Sequence, residues 1–170
     1  MKLRTVQKQD YPAVAELIKT AFQQSKYGYQ QEAELVAKIR QLPSYLPDLE
    51  VVAVNDHIIG HGLLSEAVIT SNQPLTGLVL APLAVAPEAQ NGGVGSALLL
   101  KLEQRAQTNG SPFISILGDP DYYMKFGYQT AYPLGIQAPF EVPREAFLIK
   151  SLQLEPLPAG IIRYNQAFDA

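Results

Sequence analysis

A glycine-rich turn between an apolar segment and an amphipathic segment offers the clearest chemistry in this chain. The turn consists of Gln90, Asn91, Gly92, Gly93, Val94, Gly95 and Ser96. We expect a helix from about Gly92, so its first backbone N–H groups lack partners within the helix and its dipole favours negative charge there. The turn therefore predicts a phosphate-binding site. A glycine-rich helix start without a ligand is the alternative.

Two common phosphate-binding turns do not fit this pattern. A P-loop requires a lysine after its last glycine, and none follows here. A dinucleotide fingerprint requires Gly-x-Gly-x-x-Gly after an early strand, whereas the glycines here have a different spacing and come late in the chain. The order Gln90-x-x-Gly93-x-Gly95 instead resembles the acetyl-CoA signature of the GNAT superfamily of N-acetyltransferases, [Gln/Arg]-x-x-Gly-x-[Gly/Ala]. The resemblance implies that the backbone N–H groups of residues 90–96 hold the pyrophosphate of acetyl-CoA, the co-substrate, with the Ser96 hydroxyl as a further donor.

A second motif lies further along the chain, where Tyr123, Gly127 and Tyr128 match the family pattern Tyr-x-x-x-Gly-[Phe/Tyr]. The resemblance implies that Tyr123 lies near the thioester and protonates the departing thiolate. A phenol suits this role because its reference pKa of ~10 is not far above that of a thiol. Tyr122 is the neighbour that could be confused with it, and a packed aromatic residue is the alternative interpretation.

The apolar segment before the glycine turn contains Pro82, which cannot donate a hydrogen bond to a neighbouring strand. We therefore expect this strand to be unpaired or bulged on one side. In GNAT proteins the equivalent strand splays from its neighbour and pairs with the pantetheine arm. The resemblance thus implies backbone contacts from Leu83, Ala84 and Val85, with the Val85 N–H near the oxyanion. An edge strand without a ligand is the alternative.

The acceptor amine must lose a proton to a carboxylate, a histidine or a water molecule. Glu66, Glu32 and His61 are the candidates for this base, although each of these residue types is more often structural or solvated. His57 lies in a predicted turn and is expected at the surface. Because the chain contains no cysteine, an acyl-cysteine intermediate is excluded and direct attack in a ternary complex is expected.

The resemblance also suggests which segments flank the acceptor. Residues 25–30 and 133–144 are the expected acceptor-side walls, with Tyr27, Tyr29 and Phe140 as lining side chains. The same three aromatic residues could equally cover the surface. The acceptor is a small-molecule or peptide amine, and its identity stays open.

The order of predicted elements indicates an α/β (α+β) fold with a mixed sheet. Periodicity and capping residues predict helices over about 11–23, 31–41, 92–108 and 119–126, with strands between them. This order resembles that of the GNAT fold, which implies a mixed, mostly antiparallel, twisted sheet flanked by helices, with splayed central strands. We expect one domain over residues 1–170, in which about 133–170 form a C-terminal extension.

Composition narrows the function classes. The 170 residues are 47% hydrophobic and 17% charged, with a net charge of −3 and no cysteine. The sequence has no cluster of Lys and Arg, so we do not expect a nucleic acid partner. Two histidines give little support for a metal site, so we do not expect a bound metal either. No signal segment or span-length apolar run stands out, which favours a cytoplasmic protein without membrane contact.

These features together predict an acetyl-CoA-dependent N-acetyltransferase. The alternative from another class is a non-catalytic module that binds coenzyme A or acyl-CoA and regulates a partner. An O-acyltransferase, or an enzyme for longer acyl chains, also fits the motifs. Many GNAT proteins dimerise through late strands, so the resemblance leaves a homodimer open.

Overall fold

The computed structural model describes residues 1–169 and shows the mixed α+β fold that the element order predicts. Its α-helices are α1 (Tyr11–Gln23), α2 (Glu32–Arg40), α3 (Val94–Thr108) and α4 (Pro120–Tyr123). Its strands are β1 (Lys2–Thr5), β2 (Glu50–Val54), β3 (Ile58–Thr70), β4 (Leu75–Val85), β5 (Phe113–Leu117), β6 (Gln129–Thr130), β7 (Ile136–Gln137), β8 (Phe147–Ser151) and β9 (Gly160–Tyr164). Most of their pairings are antiparallel.

The chain divides into two compact units. The first contains Met1–Ser65 and Ala81–Ala106, and the second contains Glu66–Leu80 and the residues from Gln107 onwards. Strands β3 and β4 each give one segment to each unit, because the division falls within both strands.

In the first unit, glycines on β3 allow α3 to pack close to the strand. Strands β1, β2 and β3 pair antiparallel in chain order. A Cβ atom on Gly60 would lie 2.8 Å from side-chain atoms of both Val94 and Leu98, and one on Gly62 would lie 2.7 Å from Leu102. Any larger residue on this face would push α3 outward, so the two glycines fix where α3 lies against β3.

A buried ionic network joins α2 to β2 and β3 in the first unit. The Glu50 carboxylate accepts hydrogen bonds from Arg40 Nη2 at 2.5 Å and from the Tyr45 hydroxyl at 2.7 Å. His61 Nε2 lies 3.0 Å from the same carboxylate, and the Arg40 guanidinium stacks 3.6 Å from the centre of the Tyr11 ring. Glu50 and His61 are both fully buried. The network therefore satisfies a charge that burial alone would make very costly.

The electrostatics of Glu50 show which effect dominates. Burial by itself raises the pKa of Glu50, but hydrogen bonds from His61, Arg40 and Tyr45 outweigh it and lower the pKa to about 2. The carboxylate thus stays ionised at every physiological pH, and its charged form is part of the folded structure.

The second unit is built around the apolar faces of several short strands. Strand β5 pairs parallel with β4 and antiparallel with β8, which also pairs with β6. Strand β9 pairs antiparallel with the end of β3 and parallel with β7. Phe113 and Phe147 are fully buried in the core, and a Cβ atom on Gly77 would lie only 2.4 Å from the Phe113 ring. Gly77 is therefore required by the aromatic ring that fills this core.

The structure differs from the predicted elements in three places. The predicted helix over 119–126 consists of α4 (Pro120–Tyr123) followed by a 3₁₀ turn over Met124–Phe126. Helix α3 begins at Val94 rather than near Gly92, because Asn91 (φ 64°) and Gly93 (φ 86°) adopt left-handed conformations that a right-handed helix cannot include. Strand β7 was not predicted, since two residues carry no periodicity and its existence depends on pairing with β9. The predicted bounds of α1 are confirmed.

We expect Glu50→Gln to destabilise the protein, because it leaves the buried Arg40 guanidinium without its carboxylate. The lowering of the pKa from 4.5 to about 2 corresponds to about 3 kcal/mol. That contribution is complete above pH ~4.5, the unfolded value, and is lost as pH falls towards 2. Urea unfolding followed by circular dichroism at several pH values between 7 and 2 would measure the free energy of unfolding. This free energy should fall less steeply with falling pH in the variant than in the parent. Glu88→Gln, which removes only an exposed pair with His57, is the control and should match the parent.

Candidate active site

The glycine turn of the first unit follows directly from the end of β4. The Ala86 N–H donates to the Ile59 carbonyl at 2.8 Å, which anchors the chain as it leaves the strand. A short 3₁₀ turn over Pro87–Ala89 comes next. The first hydrogen bond of α3 then runs from the Ala97 N–H to the Gly93 carbonyl at 3.0 Å. Val94 and Gly95 therefore supply the first N–H groups of a 15-residue helix, where an α-helix leaves its N–H groups without a carbonyl partner of its own.

The turn is open where the sequence predicts an anion. Gly92 and Gly93 are exposed, and a Cβ atom on Gly93 would meet nothing within 4 Å. Asn91 tolerates its left-handed conformation because its short amide side chain is among the few that do. The geometry leaves backbone N–H groups and the positive end of the helix dipole uncovered by side chains.

Gln90 has a structural role that the sequence did not predict. Its side-chain Nε2 donates to the Val85 carbonyl at 3.2 Å. Since the Ala86 N–H belongs to the same peptide unit and is bonded to Ile59, that peptide is held at both ends. The Gln90 amide thus fixes the end of β4 as well as belonging to the turn.

The residues predicted to contact the pantetheine arm occupy the last positions of β4. The Ala84 side chain is buried, while Leu83 and Val85 are half-buried. Pro82, two residues before Ala84, carries no N–H and cannot donate to a neighbouring strand. In the second-unit part of the same strand, Leu78 and Val79 pair with β5.

Tyr123 lies in the second unit, at the end of the short helix α4. The Asp119 carboxylate caps this helix by accepting from the Asp121 N–H at 3.0 Å. Gly118 makes room for the tyrosine, because a Cβ atom there would lie 2.6 Å from the Tyr123 ring. Gly127, at φ 92°, ends the following 3₁₀ turn. The motif Tyr-x-x-x-Gly-Tyr thus encodes a capped turn that orients one phenol.

The Tyr123 ring packs among other aromatic residues while its hydroxyl stays unbonded. It meets Tyr122 edge-on at 5.0 Å and Tyr128 edge-on at 5.9 Å between ring centres. Within residues 1–169 its hydroxyl makes no hydrogen bond, so the proton is available to a ligand. Burial raises the pKa of Tyr123 to about 12, with smaller contributions from Tyr122 and Asp119. The phenol is therefore fully protonated at neutral pH.

Lys150, on β8, holds the turn that follows Tyr123, and no sequence pattern pointed to it. Its ammonium group donates to the Phe126 carbonyl at 2.7 Å and lies 5.7 Å from the centre of the Tyr128 ring. Its Cε lies 3.3 Å from where a Gly127 Cβ would be. Lys150 therefore holds the Phe126 carbonyl, at the end of the turn, through a charge-assisted hydrogen bond.

The two carboxylate candidates for a base occupy different settings. Glu66 is half-buried in β3, and its backbone carbonyl accepts from Asn165 Nδ2 at 3.0 Å. The Glu32 carboxylate accepts from the Gln30 N–H at 2.7 Å, at the beginning of α2. Glu32 thus stabilises the entry to that helix. Glu66 belongs to the second unit and Glu32 to the first.

The two histidines lie in different environments, one in the buried core and one at the surface. His61 is fully buried and takes part in the Glu50 network. His57 is exposed and lies 3.5 Å from the Glu88 carboxylate, which agrees with its predicted place in a surface turn.

No group of three or more potential ligand side chains within residues 1–169 is arranged for a metal ion. In the same range, no helix is long and apolar enough to cross a bilayer.

The predicted acceptor-side aromatics differ in their surroundings: Tyr27 and Phe140 are exposed, whereas Tyr29 is hydrogen-bonded to α2. Tyr27 is 75% exposed. The Tyr29 hydroxyl donates to the Glu34 carboxylate in a short hydrogen bond and accepts from the Ala33 N–H at 3.2 Å. Burial and this carboxylate raise the pKa of Tyr29 to about 12. Tyr29 therefore closes the loop onto α2.

Comparisons with known proteins agree with this fold. The acetyltransferase (GNAT) domain family matches residues 2–131. The uncharacterized N-acetyltransferase YjhQ of Escherichia coli K12 is 32% identical over 138 residues, which cover 77% of this chain and 76% of that protein. The chain therefore belongs to the GNAT acetyltransferase family, whose members are acyltransferases.

Two solved structures resemble the whole chain. The GNAT N-acetyltransferase YhbS of Escherichia coli, in complex with CoA, has a TM-score of 0.86 at 25% identity and covers 99% of this chain and 92% of its own. A GNAT acetyltransferase of Brucella melitensis, in complex with acetyl-CoA, has a TM-score of 0.82 at 26% identity, and the match covers 99% of this chain and 97% of that chain. The predicted family and fold class are thereby confirmed.

We expect Lys150→Met to destabilise the protein by about 1–3 kcal/mol, since the Phe126 carbonyl loses a charge-assisted hydrogen bond while the aliphatic stem is kept. Lys125→Met, on the same turn but exposed, is the matched control and should change little. Urea unfolding of both variants would measure the difference. Equal stability of the two would show that Lys150 does not hold the turn.

Proposed function

We propose that this protein transfers an acetyl group from acetyl-CoA to a primary amine of a small molecule or peptide. The observation that carries the proposal is the open turn over residues 90–96, which presents uncovered N–H groups at the start of a long helix. Support comes from the two similar structures, one bound to CoA and the other to acetyl-CoA.

In this proposal the pyrophosphate is held mainly by main-chain groups. The N–H groups of residues 92–96 face the anion, and the Ser96 hydroxyl adds a donor. Gly93 permits close approach, because no side chain stands over its backbone. Backbone donors and the helix dipole favour a dianionic group regardless of side-chain charge.

The pantetheine arm and the reacting carbonyl are assigned to the end of β4. The backbone of Leu83, Ala84 and Val85 would pair with the pantetheine amides, as an added strand would. The Val85 N–H would stabilise the negative oxygen that develops on the thioester carbonyl. Gln90 supports this role because it holds the Val85 carbonyl, and preorganised donors need no rearrangement during reaction.

The reaction is a direct attack of the amine on the thioester carbonyl. A C–N bond forms, the C–S bond breaks and the thiolate leaves with a hydrogen bond from the Tyr123 hydroxyl. The proton of the attacking amine passes to Glu66, Glu32 or a water molecule. With no cysteine in the chain, no acyl-cysteine intermediate is required.

Gly93→Val should weaken acetyl-CoA binding about tenfold or more, because a branched side chain would stand over the N–H groups that hold the pyrophosphate. Gly110→Val is the matched control, since Gly110 is also left-handed (φ +79°) with open space at its Cβ position. Both variants carry the same backbone strain, but only the first should lose affinity. Calorimetric titration with CoA would measure both, and equal affinities would contradict the assigned turn.

Tyr123→Phe should lower kcat on the order of 10²-fold while the dissociation constant of acetyl-CoA changes little, because the hydroxyl acts only as the thiolate leaves. Tyr122→Phe is the control, as its ring neighbours Tyr123 but is assigned no role in transfer. Steady-state kinetics and calorimetry separate the two effects. An unchanged kcat at saturating substrates would remove Tyr123 from the mechanism.

A coenzyme A release assay over a panel of amines tests the transfer itself. Release that depends on an amine supports the proposal, and binding of acetyl-CoA without release across the panel favours the regulatory, non-catalytic module. Alcohol acceptors and longer acyl-CoA donors in the same assay distinguish the O-acyltransferase and long-chain alternatives.

A further inference from the structure

A pocket in the second unit is lined by side chains of residues 132–144, which include the segment expected as an acceptor-side wall. Its volume is about 510 Å³, within the range of small-molecule sites. The lining residues are Tyr132, Gln137, Glu141, Val142 and Arg144. None of them belongs to the glycine turn or to the contacts of Tyr123.

The walls of this pocket are anchored to the core of the second unit. The Tyr132 ring meets the fully buried Phe147 edge-on, with 6.1 Å between ring centres. Val142 packs against the same buried cluster. Gln137 lies in β7, where it pairs with Ile161 of β9. The core therefore holds the Tyr132 and Val142 side chains and the Gln137 backbone in place, so binding does not have to order these parts of the wall.

Two opposite charges line the pocket without neutralising each other. The Arg144 guanidinium lies 5.0 Å from the centre of the Tyr132 ring, a cation–π contact that holds it in place. Within residues 1–169, Arg144 makes no ion pair or hydrogen bond with a carboxylate, and Glu141 makes neither with any cation. The carboxylate and the guanidinium are thus more than an ion-pair distance apart. Both side chains are exposed, so a ligand in the pocket can contact each of them.

We propose that this pocket binds a small zwitterion of the amino-acid class, either a free amino acid or a short peptide. Its carboxylate would take the planar donor edge of Arg144, and its ammonium group would bind Glu141. The Gln137 amide and the Tyr132 hydroxyl would contact the polar groups between them. A simple anion or a simple cation would satisfy only one of the two charges.

The chemistry of the bound amine places the pocket in recognition rather than in transfer. An ammonium group held by Glu141 is protonated, so it has no lone pair with which to attack a thioester. The pocket would therefore select a ligand through its charged ends. This inference does not depend on acetyl transfer, because binding is measured without acetyl-CoA.

Calorimetric titration at pH 7, with no acetyl-CoA present, tests the proposal. The probes are alanine, leucine and glutamate, the dipeptides alanyl-alanine, alanyl-leucine and alanyl-glutamate, and the C-terminal amide and N-acetyl derivative of each. At least one zwitterion should bind about tenfold or more tightly than both of its derivatives. No binding at millimolar concentrations, or equal binding of zwitterions and derivatives, would overturn the proposal.

Variants assign each end of the ligand to one side chain. Arg144→Gln should abolish the preference for a free carboxylate over an amide, while the preference for a free ammonium group remains. Glu141→Gln should do the reverse. Arg163→Gln and Glu155→Gln, both exposed and outside the pocket, are the controls and should bind like the parent. Unchanged selectivity in the two pocket variants would also overturn the assignment, and circular dichroism of each confirms folding.

Discussion

The start of α3 is the constraint on which the rest of the proposed site depends. Gly60 and Gly62 allow α3 to lie directly against β3, and the left-handed backbone at Asn91 and Gly93 delays the helix until Val94. The helix consequently begins directly after two exposed glycines, Gly92 and Gly93.

The two units differ in how ionised side chains stabilise their structure. In the first, Glu50 is fully buried, and its charge is balanced by Arg40, Tyr45 and His61, so burial is offset by direct hydrogen bonds. In the second, the Lys150 ammonium group donates to the Phe126 carbonyl and so helps to hold the turn after Tyr123. The first arrangement stabilises a sheet, whereas the second orients a short turn.

Sequence reasoning reached the elements that local patterns specify and missed those that depend on distant contacts. The periodicity of α1 was sufficient for its bounds, and the order of the predicted elements was sufficient for the fold class. The phosphate site at the glycine turn stays a prediction. Lys150 and the Gln90–Val85 hydrogen bond were not foreseen, because each joins residues whose proximity only the folded chain creates. The same holds for β7, which exists as a strand only because β9 lies beside it.

The environment of Tyr123 also limits what the phenol can do in the proposed reaction. A free thiol has a pKa of ~8.5, so moving a proton from a phenol of pKa about 12 to a free thiolate would be uphill by roughly 5 kcal/mol. A hydrogen bond to the thiolate as charge develops requires no such transfer and is strengthened in a partly buried site. The protonated amide nitrogen formed by attack is a far stronger acid than the phenol. We therefore infer that Tyr123 stabilises the leaving sulfur in the proposed reaction, while the proton that finally neutralises the sulfur comes from the attacking amine by way of Glu66, Glu32 or a water molecule.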